Sequence, residues 1–212
     1  MTLDLFRIIG IAHLQLAVMI VKEIDFYMNL SQPFVLVSKL QSRLFVKDIL
    51  HWSDNTSRQK AFKAHKDTET IFLRFRQELI SNKSNQLRLV DYPLLSIYKE
   101  EIKAYLNELS EFYCFNDFSV IIANLKSHGG TIRMHIDRGP YFQSSHRIHI
   151  PIKTNDSTAF HIGDVSVNMK ENIAYEIGNT NHPHGVVNNG ETDRYHLIFD
   201  LFPTAVGSSK IS

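Results

Sequence analysis

The second half of this chain breaks into short β-forming runs, and that pattern limits what it can fold into. The runs are Phe118–Leu125, Thr131–His135, Arg147–Ile152, Asp164–Met169, Ile173–Ile177 and Arg194–Phe202. Turn-forming residues separate them: Ser127-His128-Gly129-Gly130, Arg138-Gly139-Pro140, Thr154-Asn155-Asp156-Ser157, Gly178-Asn179 and Asn188-Asn189-Gly190. Several short strands at regular spacing, each closed by a turn, predict a sandwich or a barrel. Double-sheet jelly rolls of the cupin shape belong to that class.

The first half is mixed. After Phe72, the stretch Thr70–Arg76 alternates apolar and polar residues, as a half-buried strand does. Between Ile97 and Phe112, the residues Ile97, Ile102, Tyr105, Leu106 and Leu109 recur at helical spacing among Glu100, Glu101, Lys103 and Glu108. That spacing predicts an amphipathic helix packed on a sheet. The run Ile8–Val21 is apolar apart from Gly10, His13 and Gln15. It is shorter than the about 20 residues a bilayer-spanning helix needs. Asp4 precedes Arg7 and no A-x-A site follows, so a secretory leader is not expected. We expect a buried strand, Arg7–Leu14, running into a helix that ends near Tyr27. Ser81–Gln86 is expected to be a polar loop.

The chain has 212 residues, against a prior of about 150 per domain. One catalytic domain over 1–212 is expected: a mixed α/β support region in 1–115 and a jelly-roll core with its site in 116–204. Apolar residues at 43% and charged residues at 21% exclude a disordered chain. Lys+Arg is 23 and Asp+Glu is 22, with no basic stripe, so a nucleic-acid partner is not expected. Cys114 is the one cysteine and cannot form an internal disulfide. That fits a reducing, cytoplasmic setting.

Eight of the 11 histidines lie between His128 and His196, inside the β-rich half. His135 and Asp137 are two residues apart, and on a strand i and i+2 share a face. An imidazole and a carboxylate would then converge, with Ile136 pointing away. His184 follows Pro183 much later. Two histidines and a carboxylate on one face of an octahedron form the facial triad of non-haem Fe(II) oxygenases. An H-x-D pair alone also occurs in ordinary surface strands. In Arg194–Asp200, alternation places Arg194, His196 and Ile198 on one face. Arg147 and His149 share a face of Arg147–Ile152 in the same way. A buried guanidinium needs an anion, and its planar fork matches a carboxylate.

Taken together, these motifs resemble the aspartyl/asparaginyl β-hydroxylase family of Fe(II)- and 2-oxoglutarate-dependent dioxygenases. The residues that carry the resemblance are His135-Ile136-Asp137, Arg147–Ile152, Pro183-His184 with Arg194 ten residues later, and Arg194–Asp200. Ile8–Leu14 with its following helix, and the segment before Tyr98, look like bacterial members that hydroxylate free L-proline at the cis-4 position. The resemblance implies a mainly β fold with supporting helices, a double-stranded β-helix. It implies His135, Asp137 and His184 as iron ligands. It implies Arg194 as the residue that holds the far carboxylate of 2-oxoglutarate, with Arg147 and His149 beside the co-substrate. Fe(II), 2-oxoglutarate and O2 are the implied cofactors, and succinate and CO2 the implied by-products. Some peptidyl Asp/Asn hydroxylases of the family lack a carboxylate ligand. The presence of Asp137 therefore favours a free, proline-like amino acid as substrate. The alternatives are a peptidyl Asp/Asn β-hydroxylase, a non-catalytic cupin-type module binding a metal or small acid, and another metalloenzyme such as an isomerase.

The remaining candidates rank lower. His182 could replace His184 as ligand, but the preceding proline and the ten-residue spacing to Arg194 favour His184. His128 is expected in a loop, His146 at the surface and His161 lining the barrel, while His196 is either core or functional. Arg58 and Arg74 could meet a substrate carboxylate, although surface ion pairs are the commoner fate of such arginines. Cys114 is expected to be small and buried at a helix end.

Overall fold

The computed structural model describes residues 32–44, 65–77 and 88–203. The expected strand and helix over Arg7–Tyr27, the loop Ser81–Gln86 and the candidate Arg58 lie outside those residues.

Eleven strands and two helices follow one another among the described residues. They are β1 (Phe34–Lys39), β2 (Thr68–Arg76), β3 (Leu89–Asp91), α1 (Leu95–Leu109), β4 (Asp117–Leu125), β5 (Gly130–His135) and α2 (Pro140–Gln143). After them come β6 (His146–Lys153), β7 (Thr158–Ile162), β8 (Val165–Val167), β9 (Ile173–Ile177), β10 (His184–Asn188) and β11 (Arg194–Phe202). They build two antiparallel sheets, a major one in the order β1-β9-β6-β11-β4-β2-β3 and a minor one in the order β5-β10-β7-β8. This is the mainly β, cupin-like jelly roll expected from the sequence. No helix among the described residues is long and apolar enough to cross a membrane.

Three layers result. α1 buries Tyr98, Ile102, Tyr105 and Leu109, the 4-3-4 spacing that puts one stripe on one face. That stripe packs with Ile148, Ile150, Leu197, Phe199 and Leu201 of the major sheet. Glu108 ties the helix to the chain after β1, accepting from the backbone N–H of Gln41 and of Ser42 at 2.7 Å each. The opposite face of the major sheet looks at the minor sheet, where Phe160, Ile162, Val186, Tyr175 and Leu125 form a second cluster. Because β11 is covered on both sides, all nine of its residues are buried. A strand so placed is buried along both faces, whatever the polarity of each. Its inward residues, Arg194, His196 and Asp200, are therefore polar groups inside the protein.

Several expectations shift in detail. α1 starts at Leu95 and ends at Leu109, before Phe112, where a tight turn closes it through Phe112 N–H to Leu109 C=O. β7 and β10 are additional strands, and α2 forms inside the expected turn after Arg138. Cys114 is exposed rather than buried. His146 is not free at the surface, because its Nδ1 lies 2.7 Å from Glu176 Oε1. Arg74 joins Asp91 at 2.6 Å, Asp117 at 2.8 Å and the Phe118 carbonyl at 3.0 Å. It clasps β2 to β3 and β4, using all three of its guanidinium nitrogens.

Candidate metal centre

The β5–β10 register sets His135 directly opposite His184, with ring centroids 4.3 Å apart. Each imidazole is held from behind by the chain itself. His135 Nδ1 lies 2.7 Å from Arg133 C=O, and His184 Nδ1 lies 3.3 Å from His182 C=O. A carbonyl only accepts, so Nδ1 carries a proton in both rings and Nε2 is the nitrogen that can face a metal. That tautomer suits a metal ligand. Burial first, with help from His135, pushes His184 down to about 4, so its Nε2 is bare at neutral pH.

Asp137 completes the cluster from just beyond β5. Its backbone N–H donates to Asn179 C=O at 3.0 Å, and its Oδ2 accepts from Asn179 Nδ2 at 2.8 Å. Its Oδ1 lies 3.8 Å from His135 Nε2 and its Oδ2 lies 3.8 Å from His184 Nε2. The convergence expected from a strand pleat is thus produced by loop hydrogen bonds. Burial alone would raise the Asp137 carboxyl, but Arg147, His184, the Asn179 bond and His135 outweigh it and hold it below the usual carboxylate range. One ligand atom from each of His135, Asp137 and His184 lies within 4.8 Å of the others. Two imidazoles and one carboxylate fit a divalent iron.

A second polar group stands on the inner face of the major sheet. Arg194 is buried, and its Nη2 donates to His196 Nδ1 at 2.6 Å. Among the described residues it pairs with no carboxylate, and burial pushes it down to about 9. His149 is buried beside this pair, its Nδ1 3.4 Å from that of His196, and its Nε2 has no hydrogen-bond partner among the described residues. Burial, then the nearby arginines, hold His149 well below its ordinary value. Phe160 links the two groups. Its ring stacks on His184 at 6.3 Å and meets His149 edge-on at 5.5 Å.

Arg147 behaves differently from Arg194. It grips Asp200 through Nε at 2.7 Å and Nη2 at 2.9 Å, and reaches Asp137 Oδ2 through Nη1 at 3.1 Å. Asp200 also accepts from Tyr141 Oη at 2.8 Å and Ser119 Oγ at 3.1 Å. The structure therefore brings His135, Asp137 and His184 together, gathers Arg194 and His149 around His196, and turns Arg147 toward two carboxylates. Asn179, Asp200 and Tyr141 were not singled out in the sequence. Asp200 ends the same inward stripe as Arg194 and His196, the one signal that could have found it.

Residues 101–203 match the family model described as Aspartyl/Asparaginyl beta-hydroxylase. No curated protein matches the chain. Among solved structures, a 2OG-Fe(II) oxygenase family oxidoreductase from Burkholderia pseudomallei is 13% identical, over 72% of this chain and 79% of that one, with a TM-score of 0.46. The viral collagen prolyl hydroxylase of Paramecium Bursaria Chlorella virus-1, solved as a 2OG complex, is 11% identical over 82% of this chain and 98% of that one, with a TM-score of 0.42. Hazelnut (Corylus avellana) vicilin is 14% identical with a TM-score of 0.32, and the match spans 48% of this chain but only 26% of the vicilin. Over residues 101–203, just under half of the chain, the protein matches the aspartyl/asparaginyl β-hydroxylase family model, and the cluster of His135, Asp137 and His184 agrees with a hydroxylase of the iron- and 2-oxoglutarate-dependent kind.

Proposed function

We propose that this chain hydroxylates an unactivated C–H bond of an amino acid, free and proline-like in preference to peptide-bound. Fe(II) would be held by His135, Asp137 and His184, and the far carboxylate of 2-oxoglutarate by Arg194 with His149 alongside. One observation carries the reading. A triad of metal-binding donors and a buried guanidinium without a carboxylate partner among the described residues share the space between the sheets, joined through Phe160. Asp137 supports the smaller substrate, because the resemblance associates a carboxylate ligand with that branch. β1, β2 and β3 share the major sheet with β4, β6, β9 and β11, which supports one catalytic domain. The single cysteine supports a cytoplasmic setting.

When bound, Fe(II) with 2-oxoglutarate and O2 supplies the oxidising power that converts C–H to C–OH, with release of succinate and CO2. The chain's own residues do the placing. The Arg133 and His182 carbonyls fix both imidazoles with Nε2 forward. Arg194 offers a fork in a dry setting, where a charge-assisted pair gains most. Phe160 and the apolar cluster around it keep water out of the space between them.

The test is an anaerobic titration of metal-free protein with Fe(II) and then 2-oxoglutarate. The visible charge-transfer band of the chelate should form in wild type and not in His184→Ala. Succinate release is then followed with L-proline, other free amino acids, and Asp- or Asn-containing peptides. Succinate coupled to a free amino acid supports the proposal. Turnover on peptides alone overturns the substrate assignment. A folded, iron-binding protein that forms no band overturns the oxygenase reading in favour of a binding module.

A further inference from the structure

We propose that Arg147 is a positioning residue for the metal ligand Asp137, anchored by Asp200, and does not bind the co-substrate. The inference rests on the reading that the triad holds a metal. Arg147 sits directly opposite Asp200 in the β6–β11 register, and Ser119 sits opposite Asp200 on its other side, in β4. The guanidinium therefore meets a carboxylate already fixed by a neighbouring strand. Its fork closes on Asp200 with two bonds, and its remaining arm reaches Asp137. The loop between Asp137 and Arg147 folds back over the pair. Tyr141 donates to Asp200, and the Phe142 ring lies 4.6 Å from the guanidinium carbon.

Charge balance separates this arginine from Arg194. Two carboxylates face Arg147, so a third anion would gain little from it. Arg194 has none among the described residues. The bonding at Asp137 is also one-sided. Oδ2 takes both Arg147 Nη1 and Asn179 Nδ2, while Oδ1 accepts no hydrogen bond among the described residues. The two donors thus reserve Oδ2 and leave Oδ1 as the ligand atom. Partners behind a ligating carboxylate orient it, and their loss typically weakens metal binding by about 10- to 100-fold.

The experiment measures Co(II) affinity by its visible absorption, 2-oxoglutarate affinity at saturating Co(II), and the thermal midpoint. It compares wild type with Arg147→Ala, Arg147→Lys, Asp200→Asn, Arg194→Ala and His184→Ala. Arg147→Ala should weaken Co(II) by about 10- to 100-fold and leave 2-oxoglutarate affinity unchanged. Asp200→Asn should weaken Co(II) in the same direction although it touches no ligand. Arg147→Lys should fall between, keeping the charge and losing the fork. Arg194→Ala should show the reverse split. If Arg147→Ala lowers 2-oxoglutarate affinity with Co(II) affinity intact, the residue belongs to the co-substrate site and the proposal fails. A lower thermal midpoint with Co(II) affinity unchanged makes the role purely structural and also overturns it. Arg147→Lys and Asp200→Asn carry the test if Arg147→Ala does not fold. A wild type that binds no Co(II) defeats the metal-site reading itself. Wild-type binding lost in His184→Ala keeps that reading, whatever the Arg147 variants do.

Discussion

Arg194 Nη2 stands 2.6 Å from His196 Nδ1, inside the protein, with no carboxylate beside the guanidinium among the described residues. Arginine can only donate, so His196 accepts and its ring is neutral. Burial, Arg194 and His149 all push His196 well below its ordinary value, in agreement. The ligand-free protein therefore carries a buried, uncompensated charge. A bound dicarboxylate would remove that penalty.

Replacing Arg194 by methionine, of similar length and uncharged, should stabilise the ligand-free protein by about 1–4 kcal/mol. It should also abolish the rise in thermal midpoint that 2-oxoglutarate gives the wild type. Urea unfolding with and without 2-oxoglutarate measures both. A destabilised variant that still responds to 2-oxoglutarate would show that Arg194 is neither uncompensated nor the anchor.

Acid should weaken the fold through His149 and His196. Burial first, then the neighbouring charges, lowers both well below 6.5. Unfolded, each titrates near about 6.5. Below that pH the unfolded chain binds more protons than the native one. Stability is then fully present above about pH 6.5 and is lost as pH falls. Between pH 7.5 and 5.5 the pair should remove about 2–3 kcal/mol. His196→Asn, which keeps an acceptor for Arg194, should lose about half of that dependence. An unchanged pH slope in His196→Asn would refute the assignment.

The sequence made some of this legible, and the reasons are physical. α1 and β11 declare themselves, one by 4-3-4 spacing and the other by a run of aromatic and aliphatic residues. The H-x-D pair and Arg194 stand out because polar groups at inward positions are rare. β10 did not stand out. Only five residues long, it holds Gly185 and follows Pro183, which leaves little strand pattern to read. The partner of Arg147 was hidden for a different reason. Alternation shows which face a side chain takes, whereas Asp200 becomes its neighbour only through the β6–β11 register. His65 is similar: its ring meets His135 at 5.5 Å from a segment far away in sequence.

Tyr141 gives a stability test of the buried network around Asp200. Burial and Asp200 raise its phenol well above the ordinary range, so it stays a donor at all working pH values. Tyr141→Phe removes one of the bonds to a buried carboxylate, which should cost about 1.5–3 kcal/mol. Arg147 and Ser119 remain on Asp200, so Co(II) affinity should hold near wild type. Thermal unfolding with a parallel Co(II) titration checks both. A loss of Co(II) affinity as large as that of Arg147→Ala would mean that Tyr141, not the guanidinium fork, fixes the carboxylate.

Gly185 places a steric limit directly beside a ligand. A Cβ there would stand 2.7 Å from the Ile132 carbonyl oxygen, 2.9 Å from Met134 Sδ and 3.0 Å from Met134 N. The Met134 side chain is half exposed and can move aside. The Ile132 carbonyl belongs to the paired strand β5 and cannot. Gly185→Ala should therefore push β10 away from β5 at the position that sets His184 opposite His135. The strain should cost about 1–3 kcal/mol, and the wider gap should weaken Co(II) binding beyond what the unfolded fraction explains. Met134→Ala is the comparison, because it empties the same space without touching the backbone. If Gly185→Ala binds Co(II) as Met134→Ala does, the β5–β10 spacing does not control the two imidazoles, and their placement must come from the carbonyls behind them alone.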